Sequence, residues 1–239
     1  MIYPRIIAHR CGGALTPENT LAGLRLAKRL GCRGVEFDAM LAADGVPVLI
    51  HDETLERTTS GQGRVADTSS TQLARLDAGS RHHPAFAVEP LPTLDEALRL
   101  CAALGLWANV EIKPSAGQEA EIGRVVARHA AEAKGKLLLS SFSAAALRAA
   151  ADEAAQLPRA ILVEAIPADW RERIEAAEAS AVHCAARALT AEALAAVRGA
   201  GLPLACYTVN RREDAERLFA MGVSAVFTDR PDLWSAAEM

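Results

Sequence analysis

Short apolar runs rich in β-branched residues recur along this chain, separated by alanine- and leucine-rich amphipathic stretches, and that alternation constrains the fold more than any other feature. Strands are predicted over Ile6–His9, Gly34–Asp38, Ala108–Ile112, Leu137–Ser140, Ala160–Val163, Ala181–Cys184, Leu204–Thr208 and Ala225–Thr228. Helices are predicted over Leu21–Leu30, Leu94–Leu104, Glu119–Ala133, Ala144–Glu153, Trp170–Ala177, Ala191–Ala200 and Glu213–Met221. Several of these stretches stop at a glycine (Gly31, Gly105, Gly201, Gly222), a residue free to take the left-handed conformation that closes a helix. Strands joined by helix-length connections pair in parallel, with a right-handed crossover. Eight such units in 239 residues imply an α/β fold, a closed (β/α)8 TIM barrel more than an open doubly wound sheet.

One interval breaks the rhythm. About seventy residues lie between the second and third strands, far more than one helix needs. They hold a hairpin arm at Val46–Ile50, the polar, turn-rich segment Asp52–Pro92 and then the helix opened by Thr93. Long loops in compact domains are usually lids or small insertions, so residues 1–239 read as one barrel domain with an insertion at approximately 45–92. A chain of this length buries roughly 70–75% of its unfolded surface and needs no staple. The five cysteines are scattered with no Cys-x-x-Cys pair, which fits a reducing compartment. A net charge of −4 argues against nucleic acid or an anionic membrane as partner. Met1–His9 is too short for a secretory segment, and no apolar run approaches the roughly 18 residues of a membrane span. The expectation is a cytoplasmic protein, monomer or homodimer, acting on a small molecule.

In such a barrel the chemistry gathers at the carboxyl ends of the strands. The second strand carries Glu36 and Asp38, and the third carries Glu111 and Lys113; residues two apart on a strand face the same side. Glu36, Asp38 and Glu111 can therefore converge, and three carboxylates in one pocket repel unless a cation or proton intervenes. Oxygen ligands of this kind suit Mg²⁺ or Ca²⁺; the competing reading is that each acid caps a helix or pairs with an arginine. Lys113 is one of only four lysines and stands at a strand end before Pro114, suited to a phosphoryl oxygen or to a salt bridge with Glu111. His9 and His51 fall at element ends near these acids and can divide acid and base roles, whereas His82, His83, His129 and His183 carry less information. Gly61-Gln62-Gly63 is not a nucleotide fingerprint, and Ser140-Ser141-Phe142-Ser143 lacks the elbow of a serine hydrolase.

Taken in order, Ala8-His9-Arg10, Pro17-Glu18-Asn19-Thr20, Gly34-Val35-Glu36-Phe37-Asp38 and the run Val48 to Thr59 resemble the glycerophosphodiester phosphodiesterase family, most closely its bacterial cytoplasmic members. The likeness continues through Leu91-Pro92-Thr93-Leu94, Asn109 to Lys113, Ser140-Ser141-Phe142, Tyr207 to Asn210 and Thr228 to Asp232. The resemblance implies a (β/α)8 barrel with an insertion after the second strand. It also implies hydrolysis of glycerophosphodiesters to glycerol 3-phosphate and an alcohol through a cyclic phosphate. On that basis Glu36, Asp38 and Glu111 match metal ligands, His9 and His51 the acid/base pair, and Arg10 and Lys113 the phosphate contacts. Phe142 and Tyr207 match positions where the family packs rings on the glycerol carbons, tryptophan being commoner at the second. One departure stands out: the family usually has glycine after His-Arg, and here it is Cys11, which would cost about 1–2 kcal/mol if φ must be positive there. The alternatives are a phosphodiesterase for lysophospholipids and a non-catalytic barrel that binds phosphorylated ligands.

Overall fold

The computed structural model describes residues 3–238. Eight parallel strands close into a barrel: β1 (Ile6–Ala8), β2 (Gly34–Leu41), β4 (Trp107–Ile112), β5 (Leu137–Ser141), β6 (Arg159–Val163), β7 (Ala181–Ala185), β8 (Leu204–Tyr207) and β9 (Ala225–Thr228). Closure comes from β1, which pairs in parallel with both β2 and β9. A ninth strand, β3 (Pro47–Leu49), runs antiparallel to the end of β2, with Ala39 opposite Leu49. The helices are α1 (Leu21–Leu30), α2 (Ser70–Leu73), α3 (Leu94–Leu104), α4 (Glu119–Glu132), α5 (Ala144–Glu153), α6 (Trp170–Ala176), α7 (Ala191–Gly199) and α8 (Arg212–Met221).

Local chemistry sets the helix ends. Thr20, Thr93, Ser143 and Thr190 each accept a backbone N–H with the side-chain oxygen, and Thr93 forms a reciprocal capping box with Glu96. At the far end of α1, Gly31 takes φ +95° and returns its N–H to the last turn, a conformation that strains any residue with a Cβ.

Alternation along each strand divides the core into two layers. Val35, Phe37 and Ala39 of β2 face outward and pack with Leu24, Leu94 and Ile122 beneath the helices. The inward positions at the amino ends of four strands are alanines, Ala160, Ala181, Ala205 and Ala225, and the room they leave is filled by Tyr3, Trp107 and Phe227. Tyr3 and Trp107 meet with ring centroids 5.4 Å apart. The barrel interior is thus plugged from below, and its carboxyl-end mouth is left open. A third cluster, including Met40, Val48, Leu55, Val65 and Leu73, seats the insertion on the β2–β3 hairpin.

Several element boundaries shift by one to three residues from the sequence expectation, among them three strand ends. The first strand ends at Ala8, because His9–Cys11 turns into a short 3-10 segment with Arg10 at φ 47° and Cys11 at φ 66°. The seventh barrel strand, β8, stops at Tyr207 instead of Thr208, and β2 runs on to Leu41 because β3 supplies it with a partner. The insertion holds a short helix, α2, that periodicity did not predict; its sign is the Ser69-x-x-Gln72 capping box.

The tightest helix contact is at Gly123, where an added Cβ would lie 2.2 Å from the Ala146 carbonyl oxygen and 3.1 Å from Ala149 Cβ. Gly123→Ala is expected to force α4 off α5 and lower stability by about 1–3 kcal/mol, read by urea unfolding followed by circular dichroism.

Candidate active site

Register brings the acids together. Glu36 lies opposite Asn109 and Asp38 opposite Glu111 across the parallel β2–β4 pair, so the three carboxylates share the inner face at the mouth. Glu36, Asp38 and Glu111 each place a carboxylate oxygen within 4.8 Å of the others. Burial and the Asp38 charge push Glu36 up to about 8 and Glu111 up to about 7. Burial also acts against charge on Asp38, but Lys113, His51 and Arg10 outweigh it and keep that carboxyl below its usual value. Glu36 Oε1 is buried and has no hydrogen-bond partner among the described residues. An orphaned buried oxygen inside an all-carboxylate set is the donor arrangement a hard divalent cation takes.

Neighbouring groups orient the set. Arg10 donates its backbone N–H to Glu36 Oε2 at 2.8 Å. Asn19 grips Asp38 twice: its Nδ2 donates to Oδ2 at 2.8 Å, and its Oδ1 accepts the Asp38 N–H at 3.0 Å. Lys113 Nζ donates to Glu111 Oε1 at 3.2 Å and lies 3.8 Å from Asp38 Oδ1. The salt bridge weighed for Lys113 is therefore present, and it keeps the ammonium at the mouth.

Each candidate histidine has its own carboxylate. His9 Nδ1 meets Asp229 Oδ1 at 2.7 Å, and Asn210 holds Asp229 from behind by donating to Oδ2 at 2.8 Å. His51 Nδ1 meets Asp52 Oδ1 at 2.6 Å. Arg57 then joins Asp52 to Glu18: it donates to both Glu18 oxygens at 2.8 Å and to both Asp52 oxygens, one at 3.1 Å. Glu18 Oε1 also accepts from Arg10 at 3.1 Å, so one chain of ion pairs runs from Arg10 through Glu18, Arg57 and Asp52 to His51. The two imidazoles diverge electrically. Burial opposes a charge on His9, but Asp229 and Glu36 outweigh it and raise the pKa above the ordinary value. Burial lowers that of His51, and the Asp38 and Asp52 carboxylates do not make up the difference.

These groups line one cavity of about 390 Å³ at the carboxyl ends of the strands, containing His9, Arg10, Glu36, His51, Glu111, Lys113, Phe142 and Tyr207. Asp38 lies just behind it, reached through Arg10 and Lys113. Phe142, half exposed, meets the Tyr207 ring edge-on at 6.1 Å, and Tyr207 donates its hydroxyl to the Val163 carbonyl. Glu164 and Arg187, ion-paired at 2.6 Å, complete the rim.

The glycerophosphoryl diester phosphodiesterase family profile matches residues 9–233. The chain belongs to that family. A glycerophosphodiester phosphodiesterase of Caldanaerobacter subterraneus subsp. tengcongensis is 33% identical over 95% of this chain and 94% of its own. A phosphodiesterase of Oleispira antarctica, solved in complex with the product sn-glycerol-3-phosphate, superposes with a TM-score of 0.94 at 35% identity, covering 99% of this chain and 97% of that one. A glycerophosphodiester phosphodiesterase from Agrobacterium tumefaciens gives 0.81 at 28% identity over 98% of this chain and all of that one.

As a family member, the chain is an enzyme, a phosphoric diester hydrolase, on the same (β/α)8 barrel. All nine candidate residues stand at one end of it, eight lining the cavity and Asp38 against it. The resemblance named no role for Glu18, Asn19, Asp52, Arg57, Asn210 or Asp229, although each lies in a quoted motif; an acid beside His51 and an Asn-Thr pair before α1 were the available signals. Cys11 does take positive φ, so the residue that replaces the family's glycine carries the expected strain. Its thiol is buried, and that burial pushes it well above the usual range, the setting of an inert cysteine.

Two outcomes follow. Because burial raises Glu36 to about 8 and Glu111 to about 7, a divalent cation held there would have to displace their protons. The rise in Tm on adding either ion should be larger at pH 8 than at pH 6. In Arg57→Gln the Asp52 charge is no longer shared with a cation, so the His51 pKa should rise, measured by NMR titration of the imidazole.

Proposed function

We propose that this chain hydrolyses glycerophosphodiesters to glycerol 3-phosphate and an alcohol with a divalent cation, Mg²⁺ or Ca²⁺, held by Glu36, Asp38 and Glu111. The observation that carries the reading is the convergence of those three oxygens within 4.8 Å, one glutamate oxygen having no other partner. When bound, the cation supplies positive charge to the phosphoryl oxygens, whose negative charge otherwise protects the diester.

The side chains supply the rest. Arg10 and Lys113 present cationic donors to the phosphate at the mouth. Phe142 and Tyr207 offer ring faces for the glycerol carbons, holding the 2-hydroxyl toward phosphorus. In the first step that hydroxyl attacks phosphorus and gives its proton to one imidazole. The bond to the departing alcohol breaks, and that oxygen takes a proton from the other imidazole. Water then opens the cyclic phosphate with the roles reversed, which returns both protons. We assign His51 as the first base and His9 as the first acid. The Asp52 behind His51 is ion-paired with the Arg57 cation, whereas the Asp229 behind His9 is hydrogen-bonded by the neutral Asn210. A charged rim of Glu164 and Arg187 favours soluble diesters over lysophospholipids. No helix among the described residues is long and apolar enough to cross a membrane. We read the chain as a cytoplasmic monomer or homodimer, one barrel domain over 1–239 with its insertion at approximately 45–92.

EDTA is expected to abolish release of glycerol 3-phosphate from glycerophosphocholine, and Mg²⁺ or Ca²⁺ to restore it; activity indifferent to chelation contradicts the metal assignment. His9→Ala and His51→Ala should each lower kcat by ~10²–10⁴ with circular dichroism unchanged.

A further inference from the structure

At and beside the level of Glu36 the cavity has a polar floor that the mechanism above does not use. Asn109 and His183 both line it, and both are fully buried. Asn109 donates Nδ2 to Ser140 Oγ at 2.9 Å, which leaves its Oδ1 without a partner. On the opposite wall, His183 Nε2 meets the Tyr3 hydroxyl at 3.1 Å, and neither its Nδ1 nor Asn109 Oδ1 has a partner among the described residues. His183 is held in place by rings, with Phe227 at 4.9 Å and Tyr3 at 5.8 Å between centroids.

The Tyr3 contact decides the tautomer. Among the described residues the phenol has no hydrogen-bond partner other than His183 Nε2. Were the proton on Nε2, it would donate to the phenol oxygen, and the phenol O–H would be left without an acceptor among the described residues. Tyr3 therefore donates to Nε2, and Nδ1 carries the imidazole hydrogen. Burial pushes the His183 pKa down to about 3 and raises that of Tyr3, so both stay neutral across working pH. The floor thus offers one unmet donor, His183 Nδ1–H, and one unmet acceptor, Asn109 Oδ1. A hydroxyl, which donates once and accepts, complements that pair; a methyl group leaves both unmet.

We propose that His183, in the tautomer set by Tyr3, is a specificity-determining residue that with Asn109 receives the free primary hydroxyl of the substrate's glycerol. This rests on the phosphodiesterase reading. In that reading the 2-hydroxyl is committed to phosphorus and the 3-carbon to the ester, so the 1-hydroxyl is the polar group left to place. It gives the barrel plug an indirect role: Tyr3, at the closed end, orients a donor at the open one.

The test compares glycerophosphocholine with the phosphocholine ester of propane-1,2-diol, which keeps the attacking hydroxyl and lacks the terminal one. Wild type should prefer the glycerol ester by about ten- to a hundredfold in kcat/KM. In His183→Gln the side-chain amide stands near the Nε2 position, which keeps the Tyr3 contact and loses the donor; the preference should fall to within about threefold. In His183→Asn the amide stands near Nδ1, and the preference should persist even if turnover drops. Tyr3→Phe frees the tautomer and should give an intermediate preference. Equal turnover of both esters by wild type overturns the proposal, as does an unaltered preference in His183→Gln. Should the histidine variants fail to fold, the wild-type ratio and Tyr3→Phe decide it. Wild-type turnover of neither ester overturns the phosphodiesterase reading, and this proposal with it.

Discussion

Three carboxylates crowded into a buried pocket repel one another, and most of the site is organised around relieving that repulsion. Lys113 and Arg10 stand on the solvent side of Asp38, Asn19 holds it from below, and Glu36 takes a backbone N–H from Arg10. These contacts suffice to keep Asp38 ionised, but Glu36 and Glu111 remain raised to about 8 and 7. Two displaced pKa values beside one depressed one mark a site short of positive charge.

The barrel supplies this crowding through register. Adjacent parallel strands in step place Glu36 beside Asn109 and Asp38 beside Glu111, and the two-residue period puts both pairs on the inner wall at successive heights. Alanine at four inward positions lower down would leave a hole, and aromatic rings close it. Apolar filling below and ionic groups above divide the interior into a stable half and a reactive half. The insertion belongs to the reactive half, since Arg57 joins it by two-sided ion pairs to Glu18 of the first loop and to the carboxylate behind His51.

Strand and helix positions are legible in the sequence because each element is amphipathic on its own period: α1, α3 and α5 fall at the expected residues. The acidic triad is legible for a related reason, its members being two apart on one strand or on the strand beside it. Pairs created by closure are not. His9 and Asp229 are 220 residues apart, and Tyr3 and His183 are 180 apart; neither pair meets until β1 joins β9 and the chain's beginning plugs the finished barrel. The turn at His9–Cys11 was signalled only through the resemblance, by the glycine the family usually has at Cys11, because a cysteine in a left-handed conformation otherwise looks like ordinary strand sequence.

The central claim is that Glu36, Asp38 and Glu111 hold a single cation together. A titration of Mn²⁺, used as a hard-ion probe and followed by its paramagnetic resonance signal, measures that directly. The account predicts one saturable site per chain in the wild type, lost in both Asp38→Asn and Glu111→Gln while circular dichroism stays unchanged. Undiminished binding in either variant, or no saturable site in the wild type, would contradict it.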